Sequence, residues 1–322
     1  MLKSYSVNWM DYNMDNLAEV VFPSTPFPDV LDSTIMATFK ACRHKAWLEY
    51  ILHWKPREPS VHLHAGASFA KGLEVARTSF FVDNQPAEEA AASGLHALLT
   101  AYGDFECPQD SAKSAERTAG AYEFYLHNYP LGQDGCIPVT LPGGKRGIEF
   151  SFAHPLPIKH PQTGDPIIYA GRMDMLANFA DGVFIEDDKT ASSLGALWGR
   201  QWDLRSQFTG YAWGCRESSI KADGVLVRGV SILKTKYDTQ MAVSYRPEWQ
   251  VDRWFEETCQ LVEEMITCWE SGKWLHNLDH ACTDFGGCLF RNICLSQDTQ
   301  PWLENYFQRR KWNPITREET IL

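Results

Sequence analysis

Residues 167–191 read IIYAGRMDMLANFADGVFIEDDKTA. Apolar residues alternate along the first half, and that period of two predicts a strand over 167–179. Asp181-Gly182 is a tight-turn dipeptide of the kind that joins antiparallel strands. VFIEDDKTA (183–191) predicts the returning strand, so the two form a hairpin. The turn begins seven residues after Asp174 and ends five before Asp187, which makes the two aspartates near neighbours across it. Lys189, two residues beyond Asp187, shares its strand face. Asp188 points the other way, with only its carbonyl free to face the same side.

Two carboxylates and a lysine on one face are the groups that phosphodiester hydrolysis needs. A cation must neutralise charge developing on the phosphoryl oxygens, and the attacking water needs a lowered pKa. Carboxylates hold Mg²⁺ or Mn²⁺ through hard oxygen ligands, and a lysine beside them can orient the water. An isolated D-x-K is more often plain solvent-facing charge. The weight therefore falls on the order of the surrounding elements.

Outward from the hairpin, IEFSFAHPL (148–156) predicts a preceding strand, joined through a Gly- and Pro-rich loop at 131–147. Phe69, Leu73, Ala76 and Phe80 recur at helical spacing and predict a helix over roughly 66–81. Helical stretches at about 86–101 and 111–128 form an insertion spanning about 82–146. Beyond the hairpin comes a helix at about 203–219 with Gln207 and Tyr211 one turn apart. VLVRGVSIL (225–233) predicts a buried strand, MAVSYR (241–246) another, and a long helix runs from Pro247 to about 271. Near the start, Asp32 or Ser33 could cap one helix running through IMATFKACRHKAWLEYIL. The organisation expected is an arm (1–30), a single domain (31–296) and a polar tail (297–322). The fold class is α/β (α+β), a mixed central sheet flanked by helices in the order helix, three strands, helix, strand.

Composition sets outer bounds. The chain has 322 residues, 44% hydrophobic and 22% charged, with a net charge of −11. That balance suits a globular enzyme and argues against a protein that simply coats nucleic acid. Apolar runs are too short to span a membrane, and the N-terminus lacks a signal-peptide pattern, so a cytoplasmic location is expected. No G-x-x-x-x-G-K-[ST] occurs, which argues against an ATP-driven helicase in this sequence. Arg43, Lys45, Arg172, Arg200 and Arg205 could face phosphate. Trp198 and Trp202 could stack on bases, although with 12 tryptophans at least one is expected in the core.

With GRMD at 171–174, IEDDKTAS at 185–192 and QFTGY at 207–211, the chain resembles the RecB-like branch of the PD-(D/E)XK nuclease superfamily, over about 33–296. The resemblance implies a restriction-endonuclease-like core with Asp174, Asp187 and Lys189 as catalytic residues. Asp174 and Asp187, with Asp188 through its carbonyl, would hold Mg²⁺ or Mn²⁺. Gln207 and Tyr211, the latter pair matching a Q-x-x-x-Y motif, would touch the nucleic acid, with Arg172 beside them. Glu149 resembles the family's glutamate in the first strand. The branch usually places a metal-binding histidine four residues after a glycine in the first helix. Counted from Gly66, that position is Ala70, and Glu74, one turn on, could supply the ligand instead, as a glutamate does in the phage-type exonucleases.

Nine cysteines in a reducing compartment do not suggest a disulfide framework. Cys107, Cys136, Cys215, Cys259 and Cys268 are scattered and read as small apolar residues. Cys282, Cys288 and Cys294 are spaced C-x₅-C-x₅-C and need a fourth ligand to close a metal site, for which Cys42 is the best candidate. Spacing alone leaves zinc and a cubane cluster open. Several RecB-like nucleases hold a [4Fe–4S] cluster with one cysteine before the core and three after it, and the resemblance extends that assignment to Cys42, Cys282, Cys288 and Cys294. The whole implies a DNA nuclease, an exonuclease on ends or single strands, in phage recombination or in repair with other proteins of that machinery. If the chain is phage-encoded, the host cytoplasm is its place. Two other readings remain: a catalytically weak or inactive cluster-bearing nucleic-acid-binding partner, and a metal-stapled scaffold.

Overall fold

The computed structural model describes residues 25–283 and 287–322. Most of the expected arm, residues 1–24, and Gly286 lie outside the described residues. In chain order the elements are β1 (Val30–Leu31), α1 (Ser33–Ala41), α2 (Arg43–Ala46) continuing as a π turn (Trp47–Ile51), β2 (Trp54–Pro56), α3 (Val61–Phe81), α4 (Ala87–Tyr102), α5 (Ala115–Asn128), β3 (Ile137–Pro138), β4 (Ile148–Lys159), β5 (Pro166–Phe179), β6 (Gly182–Ala191), α6 (Ser206–Glu217), β7 (Gly224–Ile232), β8 (Tyr237–Tyr245), α7 (Glu248–Ser271), α8 (His280–Thr283), α9 (Arg291–Cys294), α10 (Gln300–Tyr306), β9 (Phe307–Asn313) and β10 (Glu318–Ile321).

Seven strands make a mixed sheet. β4 and β6 flank β5 antiparallel, β7 runs parallel to β6, and β8 closes the edge antiparallel to β7. β1 and β3 also pair with β5. The series α3, β4, β5, β6, α6, β7 is the order read from the sequence. β7 is buried at every residue, Arg228 and Ser231 included, as its Val- and Ile-rich sequence suits a strand covered on both faces. α6 and α7 cover one face, where Phe152, Tyr169, Trp213 and Trp254 interlock. Each such aromatic pair contributes about 1 kcal/mol beyond its buried area. α3, α4 and α5 cover the other face around Phe69, Leu73, Tyr122 and Val230. Among the described residues, no helix is long and apolar enough to cross a membrane.

Four local expectations change. The β5–β6 turn is Ala180-Asp181, with Gly182 already paired to Phe179. Ala180 takes the positive φ (48°) that the sequence assigns to glycine. Gly182 is needed for close approach instead: a Cβ there would lie 2.9 Å from the Asp223 carboxylate. The first helix is capped by Asp32, which accepts from the Thr34 and Ile35 amides. It breaks at Cys42, whose backbone is extended (φ −161°, ψ 117°), before α2 begins. Residues 25–30 are packed rather than an arm: Phe27 is buried, and its carbonyl bonds the His160 ring. The polar tail carries α10, β9 and β10, and β9 pairs with β2 in a second, three-stranded sheet.

Candidate active site

Asp174 projects from β5, and Asp187 and Lys189 from β6. The ladder pairs Met175 with Glu186, so the next rung sets Asp174 against Asp187. There the Asp188 amide donates to the Asp174 carboxylate (2.8 Å). The Lys189 ammonium touches the Asp187 carboxylate, and Asp187 is 2% exposed. Burial, then the charges of Asp187 and Asp188, push the Asp174 carboxyl up to about 8. Burial opposes the charge on Lys189, but Asp187 and Asp174 outweigh it and raise its pKa above the usual lysine value. A buried Asp187 and a half-buried Asp174 close enough to raise each other's proton affinity, with one ammonium on Asp187, are an excess of hard anionic oxygen. A divalent cation of the Mg²⁺ or Mn²⁺ type fits that donor set.

Further carboxylates extend the cluster. Glu149 adopts φ +50° where β4 meets this region, a left-handed conformation that costs about 1 kcal/mol or more for a residue with a Cβ. It pairs with Arg172 (2.9 Å). Its own carboxyl is raised by burial, opposed by Arg172 and reinforced by the charge of Glu74 on α3. Glu74 also bonds Lys71 (2.9 Å) at the protein surface. From α6, Gln207 donates to the Tyr211 hydroxyl (2.9 Å). Burial, then Asp187, pushes that phenol up to about 12. The Phe208 ring lies 5.8 Å below the Lys189 ammonium. The residues expected at the site thus converge from α3, β4, β5, β6 and α6.

Asp188 faces away from this cluster, as the strand period expects. Its carboxylate lies on the opposite face of β6, where Arg77 binds it (2.6 Å) and the Tyr125 hydroxyl donates to it. Only its carbonyl could serve a metal, because strand alternation commits the side chain to the other side. Arg77 also binds Glu186 (2.5 Å), which Arg228 contacts at 3.2 Å while pairing with Asp134 (2.5 Å). The sequence reading missed Arg77. Its signal was available: two acidic residues on one face of a buried strand require a buried cation.

The aromatic expectation also changes. Trp198 and Trp202 are both buried, edge to face against each other, and neither is open to a base. Of the basic residues, Arg43 is tied to Glu264 and Arg172 to Glu149, while Arg200 and Arg205 are exposed ahead of α6.

The four cysteines lie in one region, but among the described residues the donor atoms found within 4.8 Å of one another are those of His44, His276 and Cys294. Cys42, Cys282, Cys288 and Cys294 are all free thiols. The Cys288 amide donates to the Cys282 carbonyl (3.0 Å), and the Asn277 amide to the Cys42 sulfur (3.4 Å). Burial, then Cys288, Cys42 and Cys282, push the Cys294 thiol up to about 11. A metal would bind such thiols only as thiolates. His44 and His276 stack beside them with ring centroids 3.9 Å apart, their nitrogens and the Cys294 sulfur lying within 4.8 Å of one another. The sequence reading missed both histidines. The parallel stacking does not suit two ligands of one tetrahedral ion, so they read as a wall of that region.

No family model and no curated protein matches the chain. Among solved structures, a candidate exonuclease from Eubacterium rectale is 12% identical with a TM-score of 0.46, the match covering 91% of this chain and 99% of that one. The protein SSO0001 is 13% identical with a TM-score of 0.27, covering 62% of this chain and 73% of that one. At these values neither similarity carries an argument about chemistry, which rests on the geometry above.

Proposed function

We propose that this chain is a metal-dependent phosphodiester hydrolase acting on DNA. The observation that carries the reading is the pair Asp174 and buried Asp187 with Lys189 touching Asp187, Glu149 near Asp174 and Glu74 near Glu149. Mg²⁺ or Mn²⁺ held by Asp174 and Asp187 would neutralise the phosphoryl oxygens and lower the pKa of the attacking water. Lys189, kept protonated by its two aspartates, orients that water and offers positive charge, and does not take the proton itself. Gln207 and Tyr211 fix the wall over which the strand enters, and Arg172, held by Glu149, faces the backbone.

The motifs GRMD, IEDDKTAS and QFTGY support an exonuclease working on ends or single strands in recombination or repair. The order of Cys42 before the core and Cys282, Cys288 and Cys294 after it supports a [4Fe–4S] cluster tying the break between α1 and α2 to the C-terminal segment, with structural Zn²⁺ as the alternative. Substitution Cys288→Ser should remove the brown chromophore of anaerobically prepared protein. A colourless wild type holding zinc would replace the iron–sulfur assignment.

The test is cleavage of end-labelled single- and double-stranded DNA with Mg²⁺ or Mn²⁺ and then with chelator, beside Asp187→Ala. Metal-dependent products absent from the variant are expected. DNA bound without cleavage on any substrate would contradict the enzyme and favour a binding partner, with Ala70 in the place of a ligand as the reason.

A further inference from the structure

The C-terminal hairpin reaches the candidate active site. Burial alternates along β9: Gln308, Arg310 and Trp312 are half-buried, while Arg309, Lys311 and Asn313 are exposed. The inner row fixes the hairpin to the body. Arg310 bonds the Pro56 carbonyl (2.7 Å) and Glu319 (3.0 Å). The Trp312 indole donates to Asp32 (2.8 Å), the carboxylate that also caps α1. The tip is equally fixed. The Asn313 side chain accepts from the Ile315 amide (2.9 Å), and the Arg317 amide donates to the Asn313 carbonyl (2.8 Å).

This frame carries Arg317 to the site. Its guanidinium lies 3.5 Å from the Arg172 carbonyl, two residues from Asp174. Its charge reaches Glu149 and Tyr211, opposing in part the rise that burial imposes on each. Among the described residues, no carboxylate stands within ion-pair distance of it. Its backbone is left-handed (φ +60°), a turn position that asparagine fills more easily. The hydrogen bond of Arg317 to the Arg172 carbonyl is long and exposed, so its charge is left largely free of protein partners. With a net charge of −11 on the chain, a polyanion entering an acidic cluster needs a local cation.

We propose that the hairpin is a substrate arm and that Arg317 binds a backbone phosphate of the DNA strand beside the scissile one, Arg309 and Lys311 adding to the positive field. This rests on the nuclease reading above, and the test separates the two. Binding of labelled single-stranded DNA across a salt series, and steady-state cleavage, are compared for wild type, Arg317→Asn, Arg317→Lys and Lys221→Gln, the last on an exposed lysine away from the cluster. Arg317→Asn should weaken binding about tenfold and lower the slope of log K against log salt by roughly 0.7. KM should rise with kcat little changed, and the melting temperature should not fall. Lysine should recover most of the affinity, and Lys221→Gln should behave as wild type. If wild type cleaves but Arg317→Asn keeps its affinity and salt slope, the arm is wrong and the nuclease stands. If wild type cleaves nothing, the nuclease reading falls, and an unchanged salt slope for DNA binding would remove the arm as well.

Discussion

The two faces of β6 bury acid in opposite ways. On one, Glu186 and Asp188 are met by Arg77, Arg228 and Tyr125, so every charge has a partner. On the other, Asp187 lies near Asp174 with Lys189 touching Asp187, and the Asp174 carboxyl is forced up to about 8. The residues are consecutive on one strand, so exposure and secondary structure do not explain the contrast. The paired face is built for stability. The second face stays neutral only by keeping a proton on Asp174, and the proposed metal would take that proton's place.

Substitutions on the two faces should therefore act with opposite sign. The largest effect is expected from Arg77→Met, which leaves Glu186 and Asp188 buried without a cation. It should lower stability by about 3–5 kcal/mol in denaturant unfolding. A neutral result would mean the paired face does not hold the strand. Asp174→Asn should do the reverse in metal-free protein and raise the melting temperature by a few degrees, while abolishing metal-dependent cleavage. A destabilised Asp174→Asn would place both faces in the same structural class.

A smaller effect follows from pH. Asp174 moves from 3.8 to about 8 on folding. Between those values the folded chain holds a proton that the unfolded chain has released. The stability of metal-free protein should fall as pH rises from about 4 to about 8, then flatten. Thermal melts across that interval should show the slope in wild type and lose it in Asp174→Asn. Mn²⁺ should stabilise more at the alkaline end, because binding requires the ionised carboxylate.

The central hairpin was legible because its strands alternate and one face is buried, which fixes register. The turn was displaced by one residue because Gly182 answers to Asp223, forty-one residues away in the chain, and not to the turn. Cys42 was read inside one continuous helix, since nothing local in KACRHK marks a break. Arg77 sits at a position that its helical period shows to be inward, but only the carboxylates of β6 explain an arginine there. The C-terminal hairpin was missed for a different reason. QRRKWN and EETI carry little apolar content, and β9 is held by β2, more than 250 residues earlier, through Arg310, Trp312 and their distant partners. Such pairing leaves no periodic trace in the sequence, so Arg317 could not be placed from it.

The most direct test of the site is single-turnover cleavage of end-labelled DNA by Lys189→Ala beside wild type, with both proteins saturated by Mn²⁺ and DNA. Lys189 is the cation on Asp187, and saturating Mn²⁺ would supply the charge that its removal takes away. The variant should therefore bind metal and DNA and lose about 10²–10⁴-fold in rate. Cleavage by Lys189→Ala within a few fold of wild type would contradict the assignment of this cluster as the catalytic centre.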